Sequence, residues 1–217
     1  PFLLSHHSLA LVFFNWASQQ PGFTHTPFTF HSLLESLSHT NHFTAIHSLL
    51  KQAKALNFPI HPSLLSSIIA SHIAHNRACK AFFLFRVVGS LCSEIGGATC
   101  NSLLAALALD GYLESAHRVF DEMAERGVGF STLGFGVFIW WVCGEDDLEK
   151  VVSLLDEVGE CGSRINGSVV VVLIVHGLCC ASNVSEALWM LDELRGRGWK
   201  PDFMAYWDVA AGEMLLM

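Results

Sequence analysis

Apolar residues in this chain return in the same order every 35 positions. Leu33-Leu34, Ile68-Ile69, Leu103-Leu104 and Phe138-Ile139 fall in step, and Ile174-Val175 follows with one residue added. Ile46, Ala81, Ala116, Val151 and Ala187 keep the same beat. Four residues after each come Leu50, Phe85, Phe120, Leu155 and Leu191, and three beyond those Ala53, Val88, Met123, Val158 and Leu194. The spacings of three and four place these residues on one face of a helix. A helix pair this short cannot bury such a face alone, so successive pairs must stack. The period therefore predicts an all-α chain, an α-solenoid of antiparallel helix pairs. Function in such an array belongs to a surface of equivalent positions rather than to one pocket.

Residues 97–131 form the clearest unit. Leu103, Leu104 and Leu107 mark a first helix, Asp110-Gly111 a break, and Ala116, Val119, Phe120 and Met123 a second helix from about Leu113. Gly127 is expected to end it, since glycine readily takes the left-handed conformation that closes a helix. Units 27–61, 62–96, 132–167 and 168–202 follow the same template, with one extra residue assigned to 132–167. Residues 1–26 supply a partial unit with only its second helix, and 203–217 the first helix of another. The expectation is one solenoid domain over 1–217.

Two apolar runs, 135–143 and 169–180, fall short of the roughly 20 residues a bilayer requires, and His176 interrupts the second. They read as buried helices, and no membrane partner is expected. The net charge of −8 is unevenly spread: residues 1–96 hold five Lys/Arg, two acids and ten of the twelve histidines, and 97–217 hold seven Lys/Arg and eighteen acids. An anionic partner would be drawn to the first part. Seven cysteines without CxxC spacing read as free, mostly buried thiols in a reducing compartment. No leader peptide is visible; the start at Pro1 inside an apolar pattern reads as that of a fragment or processed piece.

The motif Thr99-Cys100-Asn101-Ser102-Leu103-Leu104, with Gly111-Tyr112-Leu113-Glu114-Ser115-Ala116, Val119-Phe120-Asp121-Glu122-Met123 and Gly127, resembles the pentatricopeptide repeat. His176-Gly177-Leu178-Cys179, Val184-Ser185-Glu186-Ala187 and Gly198-Trp199-Lys200-Pro201-Asp202 are similar to it again. Phe13-Phe14-Asn15-Trp16-Ala17 with Gln20-Pro21-Gly22-Phe23 looks like the early part of plant organellar members. The resemblance implies a right-handed superhelical solenoid. It also implies binding of single-stranded RNA in mitochondria or chloroplasts, with the mitochondrion favoured, in RNA processing, stability or translation. Each unit would read about one base with two or three side chains.

In the family one reading residue lies early in the first helix and the other closes the unit, both facing the concave groove. Carried over, the pairs are His31 with His61, Ser66 with Gly96, Asn101 with Ser131, Gly136 with Gly167 or Asn166, and Val172 with Asp202. Asn101 with Ser131 resembles a pair that prefers pyrimidines; Asp202 could accept from the ring N–H of uracil or guanine. Many members carry a lysine late in the first helix, but His39, Ala74, Leu109, Gly144 and Cys180 stand there in this chain. Phosphate contacts usually dominate nucleic-acid affinity, so weak RNA binding by this stretch alone is expected. The alternative is a helical-repeat scaffold for other proteins.

No catalytic constellation, cofactor motif or small-molecule site stands out, so an enzyme is not expected. His72, His75 and Cys79 could suggest a metal, but Asn76 falls at the inter-helix turn and His72 occupies the register of Leu37, Leu107 and Leu178. A structural His72 and no metal are expected, with His39 and His42 facing solvent. Glu145-Asp146-Asp147 with Glu149 reads as a helix-start acidic cluster. Trp140 and Trp141 point about 100° apart on a helix, so at most one can face the groove. Trp189 is expected near an outer surface.

Overall fold

The computed structural model describes residues 7–40, 42–89, 95–145, 147–161, 163 and 165–216, and side chains within these except at 7, 87–89 and 212–216. The Val88 side chain and Asp146 thus lie outside the described residues. Twelve α-helices and one 3-10 turn at Cys143–Glu145 form the described residues, with no strand among them.

Packing divides the chain into two compact units, 1–99 and 100–217. The first holds α1 (His7–Ala17), α2 (Pro27–Ser38), α3 (Phe43–Ala55), α4 (Pro62–Ala74) and α5 (Ala78–Gly89). Here α2 packs on α1, α3 and α4, while α5 packs on α3 and α4. Leu34, Ile46, Leu50, Ile68 and Phe85 are buried between them. The second unit holds α6 (Gly97–Leu109), whose first turn precedes the division, α7 (Leu113–Glu125), α8 (Thr132–Val142), α9 (Leu148–Glu160), α10 (Gly167–Cys180), α11 (Val184–Gly196) and α12 (Phe203–Leu216). In it α10 lies against α8, α11 and α12. Even-numbered helices from α2 to α12 are first helices, and α3, α5, α7, α9 and α11 are second helices, as the period requires. The repeat thus builds an all-α solenoid of helix hairpins.

One backbone device recurs at the helix ends. A carbonyl near the end of the helix accepts an N–H from five residues on: Leu37 from His42, His72 from Arg77, Leu107 from Tyr112 and Leu178 from Asn183. Second helices do the same at Ala53, Met123 and Leu194. Such a closure needs a left-handed residue just before the donor. Gly111, Gly127 and Gly198 supply it with φ near +78°, +64° and +82°. Asn57, Asn76 and Ser182 take the same conformation without being glycine.

The apolar runs become α8 and α10, and among the described residues no helix is long and apolar enough to cross a membrane. The cysteines depart from expectation. The six described ones are free, but only Cys100 and Cys143 are buried, while Cys79 and Cys180 are exposed. Loss of water around the two buried thiols raises their pKa to about 11 and about 12.

His72 is fully buried in the register of three leucines. Its Nδ1 donates to the Ile68 carbonyl at 2.8 Å, and its Nε2 has no partner. The Phe43 ring lies 4.2 Å away and the His47 ring 5.5 Å away. Burial first, and the nearby positive charges of Arg77 and His75, lower its pKa against the bond to Ile68; burial lowers those of His47 and His117 too. Between the unfolded value near 6.5 and the depressed folded values, the unfolded chain binds protons the folded one refuses. Stability should therefore fall as pH is lowered through that window, by up to about 1.4 kcal/mol per pH unit per histidine. Urea unfolding at several pH values checks it. His72→Leu should reduce the slope; an identical slope would remove His72 from the account.

Candidate functional site

Every unit-closing position sits at the start of the next first helix, where unpaired backbone N–H groups need acceptors. Ser131 caps α8, its Oγ accepting from Gly134 N at 3.0 Å. His61 caps α4, with Nδ1 2.6 Å from the Ser63 hydroxyl. Asp202 Oδ1 accepts from Met204 N at 2.9 Å as α12 begins. Gly96 contributes only its carbonyl, which accepts from Thr99 N at 2.9 Å. For α10 the cap is Asn166, whose Oδ1 accepts from Val169 N at 3.3 Å. Gly167 is instead its first helical residue, and a Cβ there would lie 3.1 Å from the Trp199 ring. Counted from cap to cap, the extra residue falls in α10, 14 residues long where α4 and α6 have 13.

The early first-helix residues meet these caps unevenly. Asn101 is 7% exposed. Its Nδ2 donates to Gly129 O at 3.0 Å and its Oδ1 accepts from Ser131 N at 2.6 Å. The amide thus stitches α6 to the segment leading into α8, using both ends of its hydrogen-bonding edge. Gly134 makes room for it: a Cβ there would stand 2.6 Å from Asn101 Oδ1. Half-buried His31 meets exposed His61 with ring centroids 6.5 Å apart at 74°. Ser66 is half-buried, and Gly96 has no side chain to bring to it. Gly136 is buried, and a Cβ on it would lie 2.6 Å from Leu173 Cδ1. Val172 is half-buried, and Asp202 is exposed with its carboxylate turned to its own helix.

Trp140 and Trp141 stand perpendicular, centroids 5.0 Å apart, both half-buried and both with an unpartnered indole N–H. Trp140 stacks on His176 at 6.4 Å and 21°, and His176 Nδ1 lies 3.8 Å from the Asp208 carboxylate. Side chains of α8, α10 and α12 thus form a line that periodicity alone did not reveal. Its only sequence signal is the pair Trp140 and His176 at the same register of consecutive first helices; Asp208 lies three positions earlier than that register in α12. Trp189 is 49% exposed, and His39 and His42 face solvent.

Charge separates by layer. None of the twelve Lys/Arg lies on α2, α4, α6, α8, α10 or α12. The late first-helix positions His39, Ala74, Leu109, Gly144 and Cys180 are all exposed, and none is a fixed cation. On the second helices of residues 100–217 acids predominate, several in ion pairs: Arg118 with Glu114, Arg126 with Glu122, and Arg197 with both Asp156 and Glu193. Asp147 caps α9 through Lys150 N at 3.0 Å.

The PPR repeat family matches residues 98–128 and 169–199. The Arabidopsis thaliana pentatricopeptide repeat-containing protein At5g14080 is 42% identical over 210 residues, which is 97% of this chain and 33% of that protein. The mitochondrial pentatricopeptide repeat-containing protein At2g27800 of the same plant is 25% identical over 215 residues, 93% of this chain and 47% of that one. The chain thus spans between a third and a half of the length of these relatives. The crystal structure of the maize pentatricopeptide repeat protein PPR10 superposes with a TM-score of 0.66 at 20% identity, covering 96% of this chain and 29% of PPR10. PPR10 in complex with an 18-nt psaJ RNA element superposes at 0.59 with the same identity, covering 96% and 28%. With its helix hairpins, their 35-residue beat and these likenesses, the chain belongs to the pentatricopeptide-repeat family.

Proposed function

We propose that the chain is a non-catalytic module that binds single-stranded RNA along its first helices, and that it serves organellar RNA processing, stability or translation. One array of hairpins over 1–217 would present the paired residues to successive bases. The observation that carries the reading is the contact between Asn101 and Ser131, the two positions where the family places a base-reading pair. The psaJ RNA complex of PPR10 supports it by analogy of fold. Names of relatives such as At2g27800 and At1g71210 favour the mitochondrion. Binding would be weak, since no first helix offers phosphate a fixed charge.

Selection from a pooled single-stranded RNA library tests it. The retained RNAs should share a pyrimidine at one position, and Asn101→Ser should change the preference there, with folding checked by a thermal melt. Equal retention of all sequences by the folded protein would sink the reading. A second reading, a scaffold for another protein, is favoured by the exposed apolar residues on first helices. Leu133 is 73% exposed, Phe203 74% and Trp207 59%.

A further inference from the structure

If RNA binds this chain, its phosphates must find cations, and the first helices have none. The chain holds them elsewhere. In residues 1–99 α3 carries Lys51 and Lys54, α5 carries Lys80 and Arg86, and Arg77 lies in the turn before α5. All five are exposed. Neither α3 nor α5 contains an acid. The two helices pack on each other. Lys51 and Lys54 are three residues apart and therefore neighbours on one helical face.

Aromatic groups sit among these charges. Arg77 stacks its guanidinium 4.5 Å over the Phe43 ring. Phe83 of α5 is 46% exposed, and its ring lies 5.9 Å from that of His47 on α3. Burial and the charges of His72, Lys80 and Lys51 all lower the pKa of His47, so cations from both helices converge on this spot. A basic surface with an exposed aromatic is the combination that holds single-stranded nucleic acid without reading its sequence. The second helices of residues 100–217 carry the opposite balance. Each of α7, α9 and α11 has one Lys or Arg against at least three acids.

We infer that the α3–α5 face is a phosphate-docking surface that grips the backbone of single-stranded RNA through Lys51, Lys54, Lys80 and Arg86, separate from the first-helix positions that face bases. The inference rests on the RNA-binding reading. It divides the work: first helices select, and second helices of residues 1–99 supply the charge. The acidic layer of a second copy is a poorer occupant, because several of its acids already hold ion pairs with their own arginines.

The test compares the whole chain with a Lys51→Gln, Lys80→Gln, Arg86→Gln triple variant, binding a labelled oligouridylate at several salt concentrations. Each lost phosphate contact flattens the log–log salt slope by about 0.7, so the triple variant should lose about 2 units of slope and about tenfold or more in affinity at low salt. These side chains are exposed, so its melting temperature should match the parent's. An Arg118→Gln, Arg195→Gln variant should keep the parental slope. An unchanged slope and affinity in the triple variant would overturn the inference. So would a low-salt dimer that the triple variant dissolves while RNA binding stays intact. Changed base preference in Asn101→Ser alongside an unaffected triple variant would leave the base-reading proposal standing and remove only this one. The reverse pattern would remove only base reading, and a parent protein that binds no RNA would remove both.

Discussion

Phe120→Ala is expected to cost about 3–5 kcal/mol, the range for removing a large buried aromatic. Phe120 of α7 is fully buried at the meeting point of three other rings. It stacks on Phe130 at 4.7 Å and 27° and on Phe138 at 5.5 Å and 25°, with Phe135 at 6.1 Å. Phe130 precedes α8, and Phe135 and Phe138 lie on it, so one side chain ties a second helix to the next first helix. Truncation leaves a cavity that rings held by two helices cannot collapse to fill, and it removes aromatic pair contacts as well as transferred area. Urea unfolding followed by circular dichroism measures the loss, and the melting temperature should drop by on the order of 10 °C. Trp189→Ala, at a position 49% exposed, should change stability by less than about 0.5 kcal/mol. A Phe120→Ala protein that unfolds within about 1 kcal/mol of the parent would mean the aromatic hub does not hold the hairpins together.

Much of this hub was legible in the sequence, because burial at the repeat positions depends only on helical spacing. Helix α7 begins at Leu113, where the apolar pattern begins, and Gly111 and Gly127 stop helices as glycines should. What spacing cannot supply is the identity of partners across units. Asn101 meets Gly129 and Ser131 across 28 and 30 residues, a tertiary contact with no local signal. The turn at Asn76 was legible, but the closures at Asn57 and Ser182 were not, because a residue other than glycine adopts the left-handed conformation there under tertiary constraint. Burial of the cysteines was overestimated for a related reason. In a hairpin stack a helix can be apolar all round and still keep one face open, as Cys180 of α10 and Leu109 of α6 show. The positions proposed to read bases were assigned by resemblance. The closing residues His61, Ser131, Asn166 and Asp202 also accept N–H groups at the start of the next first helix, a duty that follows from the orphan N–H groups of any helix start and applies whether or not a base is present.

Gly177→Val should be the other severe lesion, costing about 3 kcal/mol. Gly177 lies within His176-Gly177-Leu178-Cys179, one of the stretches that identify the repeat, so a role in RNA contact would be the first guess for it. Its surroundings assign it to packing instead. A Cβ at 177 would lie 2.8 Å from the Trp140 carbonyl oxygen, 3.1 Å from Cys143 Cβ and 3.2 Å from Trp140 Cδ1. The nearest of these is backbone, which has no rotamer to move aside, so α10 must shift away from α8. That shift would part Trp140 from His176, whose rings stack across the same contact. Gly177→Ala should be milder, because alanine recovers about 1 kcal/mol of helix propensity that partly offsets the clash. The pair of variants gives a graded check by urea unfolding, with near-ultraviolet circular dichroism reporting the tryptophans. Valine should destabilise more than alanine and alter the tryptophan signal. If Gly177→Val unfolds like the parent with an unchanged spectrum, α8 and α10 do not approach at Gly177, and the glycine must be explained by something other than helix packing.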